Sequence, residues 1–320
     1  MSKKGKKKRV IGALLLASVF FVFYWLYSQG PYHGMYLFKP SVEKYGDIAL
    51  NMMDNGLYAE GEQWEKAREK AKNQIKQVQS YEETHPILEE ALQVSSGRHG
   101  FIVTPVDIDS ASQEMVMPTV TIDEEVLILK LPEIIGTDAD EIDAYAETLA
   151  RAVHQEKYQA VMIDMRGNMG GNVYPMLQGV GSLLEDDTLL TFIMRDNNTF
   201  EVILDEGEVK GFDVRTSDEY KAKVGKIPVA ILIDSDTASS GEMLCLAFKG
   251  RADTKTFGEE TAGFTTANQS FKLYDGSFLQ VTAGRIKDST GEIYDGNPII
   301  PDIKTSSPYE EAMNWLRNEI

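Results

Sequence analysis

Ile227-Pro-Val-Ala-Ile-Leu-Ile-Asp234, running into Ser235-Asp-Thr-Ala-Ser-Ser-Gly-Glu242, decides how the rest of this chain is read. A short apolar, β-branched run with a proline near its start has the pattern of a buried strand. It breaks into small polar residues and resumes as Glu242-Met-Leu-Cys-Leu-Ala-Phe248, which opens like a helix. A serine on such a strand-to-helix turn is held out of the core, beside helical N–H groups that can hold a developing oxyanion. Ser239 and Ser240 both occupy the turn. A serine there also suits a plain helix N-cap, so this segment alone leaves both readings open.

A second segment has the same form. Tyr158-Gln-Ala-Val-Met-Ile-Asp-Met165 is another apolar run, and it breaks into Arg166-Gly-Asn-Met-Gly-Gly-Asn-Val173. Paired glycines at the end of a buried strand imply a backbone that approaches something closely or takes a positive φ, unless the loop only turns the chain. No phosphate-binding pattern of the G-x-x-x-x-G-K-[ST] or G-x-G-x-x-G kind is present. One strand end offers a nucleophile and the other offers bare amides, which are the two halves of an acyl-transfer site.

Asp164-Met-Arg-Gly-Asn-Met-Gly-Gly171, Thr237-Ala-Ser-Ser-Gly-Glu242 and Gly258-Glu-Glu-Thr-Ala-Gly263 together resemble the tail-specific (carboxyl-terminal processing) and tricorn-core family of serine peptidases. The likeness spans roughly residues 40 to 305, with the three motifs in the family's order. It implies Ser239 as nucleophile, and an oxyanion hole from the amide of Ser240 and one of the pair Gly170 and Gly171. It also implies a mixed α/β core of crotonase-like, ClpP-like form, a peptide or protein substrate, and no cofactor or metal.

The processing peptidases of that family carry a lysine twenty-five residues after the serine, in a Gly-Lys step; here the step is Gly263-Phe264. Phenylalanine takes no proton, and neither Lys249 nor Lys255 stands at the matching place. The tricorn-like branch uses an upstream histidine instead. Of the four histidines, His33 follows the apolar amino-terminal segment, His85 precedes Pro86 at a helix start, and His154 closes an amphipathic helix, where a cation suits the dipole. His99 lies in Ser95-Ser-Gly-Arg-His-Gly-Phe101, the polar break that resembles the branch's Gly-x-His pattern. A neutral imidazole there can accept the serine proton. The resemblance also implies a serine and an acid in support of the histidine. Arg98 stands where that serine is expected, so Ser96 or Ser95 takes the role, and the acid is Asp295, with Glu292 second.

Composition bounds the partners. The net charge of −18 understates the acidity of most of the chain, because residues 1–9 hold six lysines and arginines and no acid. Such a surface repels nucleic acid. The single cysteine, Cys245, sits among apolar residues and reads as a small buried hydrophobe. After the basic residues 1–9 come eighteen uncharged residues from Val10 to Tyr27. As a helix they span ~27 Å, close to the ~30 Å of a bilayer's hydrocarbon. Tyr24, Trp25 and Tyr27 gather at the far end as an aromatic belt would. A transmembrane signal anchor over 10–29 is therefore expected, with the basic tail cytoplasmic and the rest extracellular. Cleavage at Ser28-Gln-Gly30 is the rival reading, opposed by Pro31.

Residues 30–97 read as a small helical subdomain, with Trp64, Ala67, Ala71, Ile75 and Val78 at helical spacing. Residues 98–320 read as the peptidase core. Strands at 101–104, 126–131, 158–165 and 227–234 alternate with helices over 138–155, after Pro175 and after Ser239. Phe271 to Val281 reads as a hairpin around Asp275-Gly276. Thr104 to Val126 is too short for the PDZ domain that processing peptidases insert there. Two other functions fit parts of the pattern. One is a non-catalytic lipid- or peptide-binding protein, since retinoid-binding repeats resemble this fold. The other is a penicillin-binding acyl enzyme, on the strength of Ser41-Val-Glu-Lys44.

Overall fold

A computed structural model describes residues 3–107, 115–136 and 138–320, the side chains of 3–13 and 15 excepted. The chain divides into two compact units, Met1–Asp109 with Asn268–Ala283, and Ser110–Ala267 with Gly284–Ile320.

The first unit begins with α1 (Lys3–Ser28), followed by α2 (Val42–Met53), α3 (Gly61–Ile75) and α4 (His85–Ser96). Ser41 caps α2, its hydroxyl accepting from the Lys44 amide at 3.2 Å. The S-x-x-K pattern is thus a helix start and not a catalytic pair. A 3₁₀ turn, Gly97–His99, leads into β1 (Phe101–Val103). The hairpin expected around Asp275-Gly276 is present, formed by β10 (Thr266–Lys272) and β11 (Phe278–Asp288). Its stem belongs to this unit because alternate residues Phe271, Leu273, Leu279 and Val281 share one buried cluster with Leu50, Leu88 and Leu92. That long-range packing gathers the 268–283 segment with the helices, and His99 falls in the same unit. Among the described residues no helix is long and apolar enough to cross a membrane. The anchor expected at 10–29 falls partly outside the described side chains.

The second unit is built on a six-stranded sheet in the order β13-β9-β8-β4-β3-β2. These are β2 (Thr119–Asp123), β3 (Val126–Lys130), β4 (Ala160–Asp164), β8 (Val229–Ile233), β9 (Thr254–Gly258) and β13 (Ile303–Lys304). All neighbours run parallel except β2 and β3. Both faces are covered, which is why β4 and β8 read as unbroken apolar runs. Leu127, Leu129, Val161, Ile163, Val229 and Ile231 face α5 (Ala139–Gln155), α6 (Val173–Val180) and α7 (Ser240–Ala247). Val126, Ala160, Met162, Ala230 and Leu232 face α8 (Pro308–Glu319). Outside this sheet, the Gly284–Asp288 end of β11 pairs with β5 (Asp187–Met194) and β12 (Ile293–Tyr294). β5 pairs on with β6 (Thr199–Asp205) and β6 with β7 (Glu208–Val209).

Parallel pairing sets Asp164 opposite Leu232, so β4 and β8 end side by side. Their two following loops, 165–172 and 234–239, therefore emerge together at the carboxyl edge of the sheet. In open α/β sheets that edge is where ligands bind.

Candidate active site

The loop after β4 is pinned by side chains of its own motif. Asp164 takes both Nε and Nη2 of Arg166, each at 2.8 Å. Asn168 is fully buried; its Nδ2 donates to Leu131 O at 2.9 Å and its Oδ1 accepts the Gly170 amide at 2.9 Å. Asn168 O in turn accepts the Ala238 amide at 2.9 Å, which ties this loop to the one after β8. Asp234 caps its own loop, Oδ1 accepting the amides of Asp236 at 3.1 Å and Thr237 at 3.0 Å, and also that of Gly167 at 3.1 Å.

These ties bring Gly170 and Gly171 against Ser239 and Ser240. A Cβ on Gly170 would lie 2.9 Å from Ser239 Cβ and 3.0 Å from Ser240 N, and one on Gly171 would lie 1.8 Å from Ile134 O. Both glycines also have positive φ, 114° and 91°. Ser239 itself has φ 52° and ψ −117°, a conformation that costs a non-glycine residue about 1–3 kcal/mol and persists only where its surroundings impose it. Ser240, at the first position of α7, gives its hydroxyl to Gly171 O at 2.6 Å.

The residue that imposes the Ser239 backbone is Glu242, which has no exposed surface. Its carboxylate accepts four donors: the Ser239 amide at 2.9 Å, the Gly263 amide at 2.9 Å, the Phe264 amide at 2.7 Å and the Thr261 hydroxyl. Burial pushes the Glu242 carboxyl pKa up, opposed by those hydrogen bonds. Four donors converge on its two oxygens. Phe264, which stands where the processing peptidases keep a lysine, contributes its backbone. Lys249 follows the carboxyl end of α7, away from Ser239, and Lys255 Nζ sits 5.1 Å from the centre of the Trp315 ring. Cys245 is a buried free thiol whose pKa burial pushes up, as a packed small hydrophobe requires.

In the other unit His99 is 8% exposed, and burial pulls its imidazole down to about 4 from the ordinary 6.5. It ends the 3₁₀ turn after α4, and its carbonyl accepts Asn268 Nδ2 at 2.8 Å. Ser96, the last residue of α4, is buried with its hydroxyl 3.2 Å from that of Ser95. The remaining histidines have structural partners. His33 stacks on Trp25, His85 Nε2 lies 2.9 Å from Asp275 Oδ2, and the two ring nitrogens of His154 face Ala150 O and Ala222 O. Asp295 accepts Arg285 Nε at 2.9 Å, and Glu292 accepts the Tyr294 hydroxyl at 3.0 Å.

Two buried residues of the serine loops escaped the motif reading. Glu242 carries a local signal, because Ser239-Ser-Gly-Glu242 has the serine-to-glutamate spacing of a capping box. Asn168 carries none beyond its place between Gly167 and Met169.

Comparison with known proteins places this architecture. Peptidase family S41 matches residues 125–305. The nisin-resistance protein of Lactococcus lactis subsp. lactis is 36% identical over 316 residues, covering 98% of each chain. A probable CtpA-like serine protease of Staphylococcus epidermidis is 24% identical over 163 residues, 51% of this chain and 31% of its own. Among solved structures, a lipoprotein from Streptococcus agalactiae superposes with a TM-score of 0.83 at 33% identity, over 89% of this chain and 99% of its own.

Proposed function

The chain belongs to peptidase family S41 and is a serine-type peptidase, and from that premise we propose that it cuts peptide bonds through an acyl-enzyme on Ser239. His99 takes the hydroxyl proton as Ser239 attacks the carbonyl, then returns it to the leaving amine, and water releases the acyl group. The Ser240 amide is one half of the oxyanion hole. The Gly170 amide is given to Asn168, which directs the other half to Gly171. The observation that carries this reading is the strained backbone of Ser239, held by a buried carboxylate between two strand ends. A role confined to binding has no use for that strain. With phenylalanine at 264, Lys249 beyond the far end of α7 and Lys255 over Trp315, a buried histidine with a depressed pKa supplies the base. Ser96 and Asp295 remain in their structural pairings in this scheme.

The substrate is nisin or a peptide like it, by likeness to the nisin-resistance protein. The uncharged stretch 10–27 behind a basic tail supports single-pass anchoring through residues 10–29, with the peptidase units outside the cell membrane. An extracellular peptidase would meet such a peptide before it reached the bilayer.

Incubating the full chain with nisin, and reading fragments by mass spectrometry, tests both levels. Cleavage by the wild type that disappears in Ser239→Ala and in His99→Ala is expected. Intact nisin alongside cleavage of other peptides would overturn the substrate. Activity retained in Ser239→Ala would overturn the mechanism.

A further inference from the structure

Two side chains clamp the backbone on either side of Gly100. Asn268 Nδ2 donates to His99 O at 2.8 Å, and Gln93 Nε2 donates to Gly100 O at 3.2 Å. Gly100 itself leaves no room to move, since a Cβ there would meet Ser96 Cβ at 2.6 Å and Leu92 Cγ at 3.1 Å. The orientation of the Asn268 amide is fixed by a third residue. Thr282 Oγ1 donates to Asn268 Oδ1 at 2.9 Å, so the amide's NH₂ end must face His99. Thr282 is buried, and its own carbonyl accepts the Leu57 amide at 2.7 Å.

A hydroxyl and an amide thus form a relay that ends on the backbone of one histidine. That histidine is the base in the reading above, on which this inference rests. We propose that Asn268 is a positioning residue for His99, holding its backbone where the imidazole can serve the nucleophile, with Thr282 aiming the Asn268 amide. Asn268 never touches substrate in this role. Its place in the chain suits it, because Phe264, whose amide Glu242 holds, lies only four residues upstream. Misplacing a catalytic group by about 1 Å costs about a hundredfold in rate, so a lost clamp on the histidine should be read in kcat.

The test uses the full chain, nisin as substrate, and a fluorophosphonate probe to report Ser239 reactivity. Asn268→Asp keeps the shape but sets an acceptor against the His99 carbonyl. It should lower kcat by about 10- to 100-fold with KM unchanged, and slow labelling in parallel. Thr282→Val should lower kcat by a smaller factor, about 3- to 10-fold, and Thr282→Ser, which restores the hydroxyl, should recover it. Wild-type kcat in Asn268→Asp, or a rise in KM alone, would overturn the proposal. If Asn268→Asp does not fold, the threonine pair decides: equal rates for Thr282→Val and Thr282→Ser overturn it. Should His99→Ala keep full activity, the assignment of the base fails instead, whatever the Asn268 variants do.

Discussion

Ser239 is held by short-range and strand-end geometry: Glu242 three residues on, the loop after β4 alongside, and glycines where no side chain fits. His99 is held by side chains that arrive from far along the chain, Asn268 standing 169 positions away. A motif can encode the first arrangement, because its parts sit within a few residues of one another or at the ends of adjacent strands. The second arrangement has no local signature. The serine turn is therefore carried by sequence pattern, and the histidine turn by tertiary packing.

Substitutions at the two ends should differ accordingly, and the largest effect belongs to the serine end. Glu242→Ala leaves four donors without their acceptor, two of them fully buried. Breaking such a site costs about 3–5 kcal/mol, so the melting temperature should drop sharply and cleavage should vanish. A variant that melts like the wild type would show that the carboxylate does not hold the loop. Gly170→Ala comes next. Its methyl meets Ser239 Cβ at 2.9 Å on a backbone with φ 114°, and the displaced serine should lose about a hundredfold in kcat. An unchanged rate would mean that the turn has slack.

At the histidine end the sharper probe is pH. Only the neutral imidazole can accept the serine proton, and burial has lowered the His99 pKa to about 4. Neutral imidazole thus persists well below pH 6.5, and kcat/KM should stay level down to about pH 5 before falling. An acid limb near 6.5 would place the base in solvent or on another residue. The smallest effect is expected at Asp295, whose half-exposed pair with Arg285 belongs to a class that contributes about 0–1 kcal/mol. Asp295→Asn should change the rate by less than about threefold, and a hundredfold loss would make it a third member of the catalytic group.

The parallel strands, the helix after Ser239, the amphipathic α5 and the hairpin at Asp275-Gly276 were all legible, because period-2 and period-3.6 patterns and turn residues report local structure. So was the likeness that led to Ser239, which rests on three motifs in order. What stayed hidden depends on distance. Nothing near residue 270 shows that Phe271 and Leu273 pack with Leu88 and Leu92, or that Asn268 reaches His99. Nor does the Gly170-Gly171 pair reveal that Asn168 has already taken one of the two amides.

Whether Ser239 is a nucleophile activated by His99 can be read by labelling the full chain with a fluorophosphonate, digesting it and locating the adduct by mass spectrometry. A single adduct is expected on the peptide holding Ser239, formed rapidly by the wild type and at least about a hundredfold more slowly by His99→Ala. An adduct on Ser240 or elsewhere, or a labelling rate indifferent to His99, would contradict it.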